Sequence, residues 1–214
     1  MEETGRGAGI TTVTVKLGQA VAAEARRRVE DGKRARVVLS ADDRWFTYRL
    51  PREEAARVRA AWREEVERLR MGGELLDTLD VLGAFGVRAE LRARGWDRRW
   101  PPLPPEAPAE KGRWPGSRDR HYTGSLTLRL PAELAAQTRA GCWDVSREAI
   151  AELRRWRDRN PGTVRDTTEL ALYEQHAVNI TTPGDIWRAA IRRSLTAAQS
   201  APNCPDTPPA RCDR

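Results

Sequence analysis

The chain has 214 residues, with 38 Lys and Arg against 31 Asp and Glu, a formal charge of +7 and a pI near 10.0. That length allows one or two domains with a real core, and the positive balance suits a polyanionic partner such as nucleic acid, or an anionic membrane surface. No apolar run is long enough to cross a membrane, no signal-type segment opens the chain, and the three cysteines form no C-x-x-C pair. A cytoplasmic protein without membrane contact, disulfide framework, metal or cofactor is therefore expected.

Residues 1–9 are rich in Gly and charge and read as disordered. Thr12 to Leu17 (TVTVKL) alternates polar and apolar residues, the pattern of a half-buried strand. Gln19 to Glu30 reads as a helix, with Val21, Ala22, Ala25 and Val29 on one side and Asp31-Gly32 as its stop. Arg36 to Ser40 and Trp45 to Leu50 are strand-like runs around a short polar turn, the form of a hairpin. Pro51 suits the start of a helix that runs to about Met71, with apolar positions spaced by three and four. Gly72-Gly73 break it, Glu74 to Phe85 makes a shorter leucine-rich helix, and Gly86 separates that from Val87 to Arg94.

Five prolines fall among residues 101–108, which predicts an extended linker over 101–120. Leu126, Leu128 and Leu130 then alternate with Ser125, Thr127 and Arg129, placing the leucines on one face of a strand. Pro131 starts a helix, Gly141 to Asp144 interrupts it, and Ser146 is positioned to cap a second helix through Trp156. Helices follow over Thr167 to Ala177 and Thr182 to Ala198, and residues 199–214 read as a disordered tail.

The expected fold is α+β, mostly helical with short strands. An N-terminal βαββα-like unit covers residues 10–100. After the linker, a C-terminal strand-helix-helix unit followed by two more helices covers residues 121–198.

Strand, R-L-P, helix, turn and Ser-capped helix over residues 124–157 resembles the ribbon-helix-helix family of DNA-binding proteins. In that family two chains pair their strands into an antiparallel ribbon that enters the major groove. The resemblance implies that Ser125, Thr127 and Arg129 face the bases, and that Ser146 and Arg147, at the second helix N-terminus, hold a phosphate. It implies a homodimer through the strand at 125–130. Residues 182–195 (TPGDIWRAAIRRSL) also resemble the family's second helix, with Thr182 and Asp185 as a capping-box-like start. Both segments cannot fill that role in one simple unit, so either one is fortuitous or the C-terminal half holds a degenerate pair.

Residues 46–60 and 126–140 coincide at nine of fifteen positions, and Thr14 to Leu17 echoes the strand part again. A true duplication would allow a ribbon made within one chain. No catalytic constellation is present: His121 and His176 lie in unrelated contexts, and no P-loop, G-x-G-x-x-G or G-x-S-x-G occurs. The expectation is a non-enzymatic DNA-binding protein, a transcriptional regulator, plasmid-maintenance factor or antitoxin. The alternative is a protein-interaction module that docks a protein partner through helices bearing Trp62, Trp156 and Trp187.

Overall fold

The computed structural model describes residues 9–45, 50–109, 113–162 and 166–197. Strand β1 (Ile10–Leu17) leads into helices α1 (Gln19–Ser40), α2 (Arg52–Gly72) and α3 (Leu79–Ala93). A 3-10 turn at Asp119–His121 precedes strand β2 (Gly124–Pro131), which leads into α4 (Ala132–Arg159), α5 (Thr167–Val178) and α6 (Pro183–Ala197). The α+β class and the helical majority hold.

The two strands pair with each other, antiparallel, from Ile10 opposite Pro131 to Leu17 opposite Gly124. Alternation decides which face is inside. Val13, Val15 and Leu17 of β1 and Leu126, Leu128 and Leu130 of β2 are buried, and the residues between them point to solvent. The inner face joins Leu82, Val87 and Leu91 of α3, Ile150 and Leu153 of α4, and Ile186 and Ile191 of α6 in one core. That cluster draws on both halves of the chain, so the expected N- and C-terminal units share a core around the ribbon.

Helices α3 and α6 cross in close contact. A Cβ on Gly86 would lie 2.2 Å from both the Ala190 carbonyl oxygen and Ser194 Oγ. Ser194 Oγ donates to the Leu82 carbonyl at 2.9 Å, and Glu90 of α3 accepts from Arg193 of α6 at 2.8 Å. Gly86 therefore does not separate two helices. It lets α3 run unbroken beneath α6.

The same physics corrects two other boundaries. Gly32 does not stop α1: a Cβ there would sit 2.5 Å from the Leu76 carbonyl, so glycine is what allows the helix past that backbone. Helix α1 continues to Ser40, and Arg36 to Ser40 is helical instead of the first strand of a hairpin. Residues 46–49, the body of the second expected strand, lie outside the described residues. Gly141 does not interrupt α4, because it faces the Trp96 ring at a separation a Cβ would reduce to 2.3 Å.

Beyond α2, Gly73 takes a left-handed conformation (φ 79) as the C-cap, and Asp77 follows in the core. Asp77 is 2% exposed and accepts from Arg36 at 2.8 Å and from Arg70 at 2.7 Å, tying α1 and α2 to the segment before α3. The proline-rich segment is not a free spacer. Pro108 is buried, its carbonyl accepts from Arg139 of α4, and Trp100 Nε1 donates to the Trp96 carbonyl. Residues 163–165, 1–8 of the expected tail at 1–9, and the expected tail at 199–214 lie outside the described residues, while the Gly9 carbonyl accepts from the Ala132 N–H at 2.7 Å.

Candidate nucleic-acid interface

The outward face of the ribbon carries Thr12, Thr14 and Lys16 from β1 and Ser125, Thr127 and Arg129 from β2, all exposed. Their register is Thr12 opposite Arg129, Thr14 opposite Thr127, and Lys16 opposite Ser125. The pattern is two-fold about the central threonine pair, with a hydroxyl facing a cation at each end. It follows from a match of residue class between the strands: T-V-T-V-K-L over 12–17 and S-L-T-L-R-L over 125–130. Four hydroxyls that donate and accept, and two cations that only donate, can meet the donors and acceptors on base edges. Neighbouring strands lie roughly 4.8 Å apart, so a two-stranded ribbon fits a major groove about 12 Å wide.

The ends of α3 and α6 flank this ribbon on opposite edges. Thr78 caps α3 by accepting from the Val81 N–H at 3.1 Å. Two residues on, Asp80 meets β2, where Oδ1 accepts from the Arg129 backbone N–H at 2.8 Å and Oδ2 from Arg129 Nε at 3.0 Å. Thr182 caps α6 in a reciprocal box: Asp185 N–H donates to Thr182 Oγ1 at 3.2 Å, and Thr182 N–H donates to Asp185 Oδ2 at 2.9 Å. Arg188, 3% exposed, ties α6 to the other strand through the Lys16 carbonyl at 3.1 Å, and it bonds Asp119 and Asp185 at 2.7 Å each. Burial works against ionisation of Asp185, but bonds from Arg188 and Thr182 outweigh it and hold its carboxyl below the usual carboxylate range. On the β2 side, Arg26 of α1 donates to the Ser125 carbonyl at 3.1 Å.

Of the residues the sequence singled out, Ser125, Thr127 and Arg129 come together on this face. Ser146 and Arg147 do not join them as a helix start. α4 runs through both, so there is no second-helix N-terminus at that point. Ser146 is fully buried and accepts from the Thr181 N–H at 2.9 Å, which fastens α4 to the segment before α6. It lies on the order of 20 Å along the helix axis from the end of β2. Arg147 is exposed on α4.

Thr12, Thr14 and Lys16 complete the face, and their signal was the strand echo at Thr14 to Leu17. The partner strand is thus β1 of the same chain instead of a second copy's 125–130 segment. The outer edge of β2 is engaged by Asp80 of α3. Of the two segments resembling a second helix, 183–197 forms a capped helix beside the ribbon, and 146–157 is the far half of α4.

Of the three tryptophans expected to dock a partner, Trp62 and Trp156 meet other aromatic side chains and Trp187 is partly buried against the core. Trp156 is 6% exposed, with Nε1 on Glu169 at 2.8 Å and its ring 5.1 Å from Tyr173, and Trp62 meets Trp45 at 5.4 Å. Cys142 is buried, which pushes its thiol up. Among the described residues no group of three or more His, Cys, Asp or Glu is placed to hold a metal ion, and no helix is long and apolar enough to cross a membrane. No family model, no curated protein and no solved structure matches the chain.

Proposed function

We propose that this chain is a DNA-binding protein of ribbon-helix-helix type that carries both strands of the ribbon in one polypeptide. Its place would be that of a transcriptional regulator, plasmid-maintenance factor or antitoxin. The observation that carries the reading is the outward ribbon face, where Thr12, Thr14 and Lys16 stand in register against Arg129, Thr127 and Ser125. A solvated strand pair needs no such two-fold order of hydroxyls and cations. A major groove read by a ribbon does use side chains of these types at alternate positions.

The basic balance of the chain supports the same reading, since phosphate neutralisation supplies most of the sequence-independent part of binding. Specificity then falls to the six outward side chains, and orientation to the backbone contacts around them.

The test is a titration of the full chain against random-sequence duplex and against the DNA upstream of its own gene, each at two salt concentrations. Selective binding to the upstream DNA that weakens steeply with salt is expected. Equal weak binding to both duplexes would remove the reading and leave the charge without a specific role.

A further inference from the structure

We infer that the chain reads a duplex site without two-fold symmetry, one chain per site, and that Asp80 is the positioning residue that makes one end of that site a guanine. The inference rests on the DNA-binding reading above and concerns how the same face discriminates.

The two halves of the ribbon are alike in pattern and unlike in chemistry. Arg129 occupies one end of the face and Lys16 the other. At the Arg129 end, both oxygens of Asp80 are used, one on the backbone N–H at 2.8 Å and one on Nε at 3.0 Å. Holding a guanidinium by Nε leaves its two terminal nitrogens free, with four N–H donors. The Arg129 side chain is 71% exposed, so that fork is presented outward. Two parallel N–H donors match the N7 and O6 acceptors of guanine, the commonest specific contact in the major groove. A fork already held by a carboxylate loses less freedom when it binds.

The Lys16 end is built differently. Asp80 is the second residue after the capping Thr78, and the second after the capping Thr182 is Gly184, which has no side chain to hold Lys16. The α6 contact on that side is to the Lys16 carbonyl, made by Arg188. Lys16 thus presents a mobile point charge that accepts several base edges or a phosphate, where Arg129 presents a fixed fork. Lys16 stands opposite Ser125, four residues along β2 from Arg129. At about 3.4 Å per residue the two cations reach positions roughly 14 Å apart, on the order of four base-pair steps. A recognised site then has a guanine at one end and a looser requirement about four steps away, and no symmetry relates the ends.

The experiment is selection from a random duplex pool with the full chain and with Asp80→Asn, together with native mass measurement of the complexes. The intact chain should enrich a motif without two-fold symmetry, bound by one chain, with guanine strongly preferred at one end. Asp80→Asn should keep the rest of the motif and lose about two- to fivefold of the guanine preference, the scale of an exposed bridge. Should Asp80→Asn fold poorly, Arg129→Lys carries the test: it keeps the charge, removes the fork, and should lose guanine preference while binding to random-sequence duplex is retained. A palindromic motif bound by two chains would overturn this inference and leave the DNA-binding reading standing. An unchanged guanine preference in Asp80→Asn, or in Arg129→Lys, would do the same. A pool with no enriched motif at all would overturn both.

Discussion

Gly86→Ala puts the packing argument at its sharpest. In an exposed helix this change is favourable by about 1 kcal/mol, because alanine has the higher helix propensity. Here the added Cβ would fall 2.2 Å from two atoms of α6, one of them backbone, and 2.8 Å from the Ala190 carbonyl carbon. Restoring an ordinary contact distance requires α3 and α6 to part by about 1 Å, since neither a backbone carbonyl nor a buried serine can swing away. Overpacking of this kind costs about 1–3 kcal/mol, and loosening the Ser194–Leu82 hydrogen bond adds about 1 kcal/mol. Against the propensity gain, the net loss is roughly 1–3 kcal/mol. For a chain of this length that lowers the melting temperature by about 3–10 °C.

Gly72→Ala is the internal comparison. Its new Cβ would meet only the flexible Glu74 carboxylate at 3.0 Å, so it should be neutral or stabilising by up to about 1 kcal/mol. Calorimetric melting of both variants and of the parent checks this. A Gly86→Ala protein that melts at or above the parent temperature would refute the close crossing of α3 and α6.

Other substitutions follow from the same geometry. Leu128→Ala removes a side chain 1% exposed on the inner ribbon face and should cost about 2–5 kcal/mol in urea unfolding. Thr182→Ala removes the hydroxyl that caps α6 and should cost about 1 kcal/mol by the same assay. Asp77 and Glu90 respond together to acid. Burial raises each carboxyl, but Arg70 and Arg36 beside Asp77, and Arg193 and Arg94 beside Glu90, outweigh it and hold both below their ordinary values of 3.8 and 4.5. Groups depressed in the folded state stabilise it fully above their unfolded values and lose that contribution as pH falls through the folded ones. The unfolding midpoint should therefore stay level with respect to these groups from pH 7 to about 5 and fall below about pH 4.5. A midpoint that rises on acidification from pH 5 to pH 4 would contradict the assignment.

Much of the local structure was legible in the sequence. Period-two alternation identified both strands, and the Thr182 and Asp185 pairing identified the start of α6, because these signals arise within a few residues. The errors share a physical cause. Gly32, Gly86 and Gly141 each look like breaks within their sequence windows, since glycine often punctuates a helix. At all three the missing side chain instead admits a backbone, a helix or an indole ring from elsewhere in the chain. A sequence window cannot tell a glycine that ends a helix from one that lets another element pass.

The ribbon partner was hidden for a related reason. Residues 46–51 match 126–131 by identity at four of six positions, while 12–17 match 125–130 by class: Thr for Ser, Val for Leu, Lys for Arg. Strand pairing depends on which face is apolar and on register, and residue class preserves both. Ser146 looks like a cap because it stands ahead of an apolar stripe, whereas its hydroxyl serves a contact 35 residues away.

The most direct measurement is of the double variant Thr127→Ala with Arg129→Ala, compared with the parent for both duplex selectivity and melting temperature. Both side chains point outward, and the bridge from Arg129 to Asp80 is an exposed one worth about 0–1 kcal/mol. A ribbon face that reads DNA predicts that sequence preference is lost while the melting temperature stays within a few degrees of the parent. Preference retained with the melting temperature sharply lowered would mean these residues hold the fold together and do not read DNA.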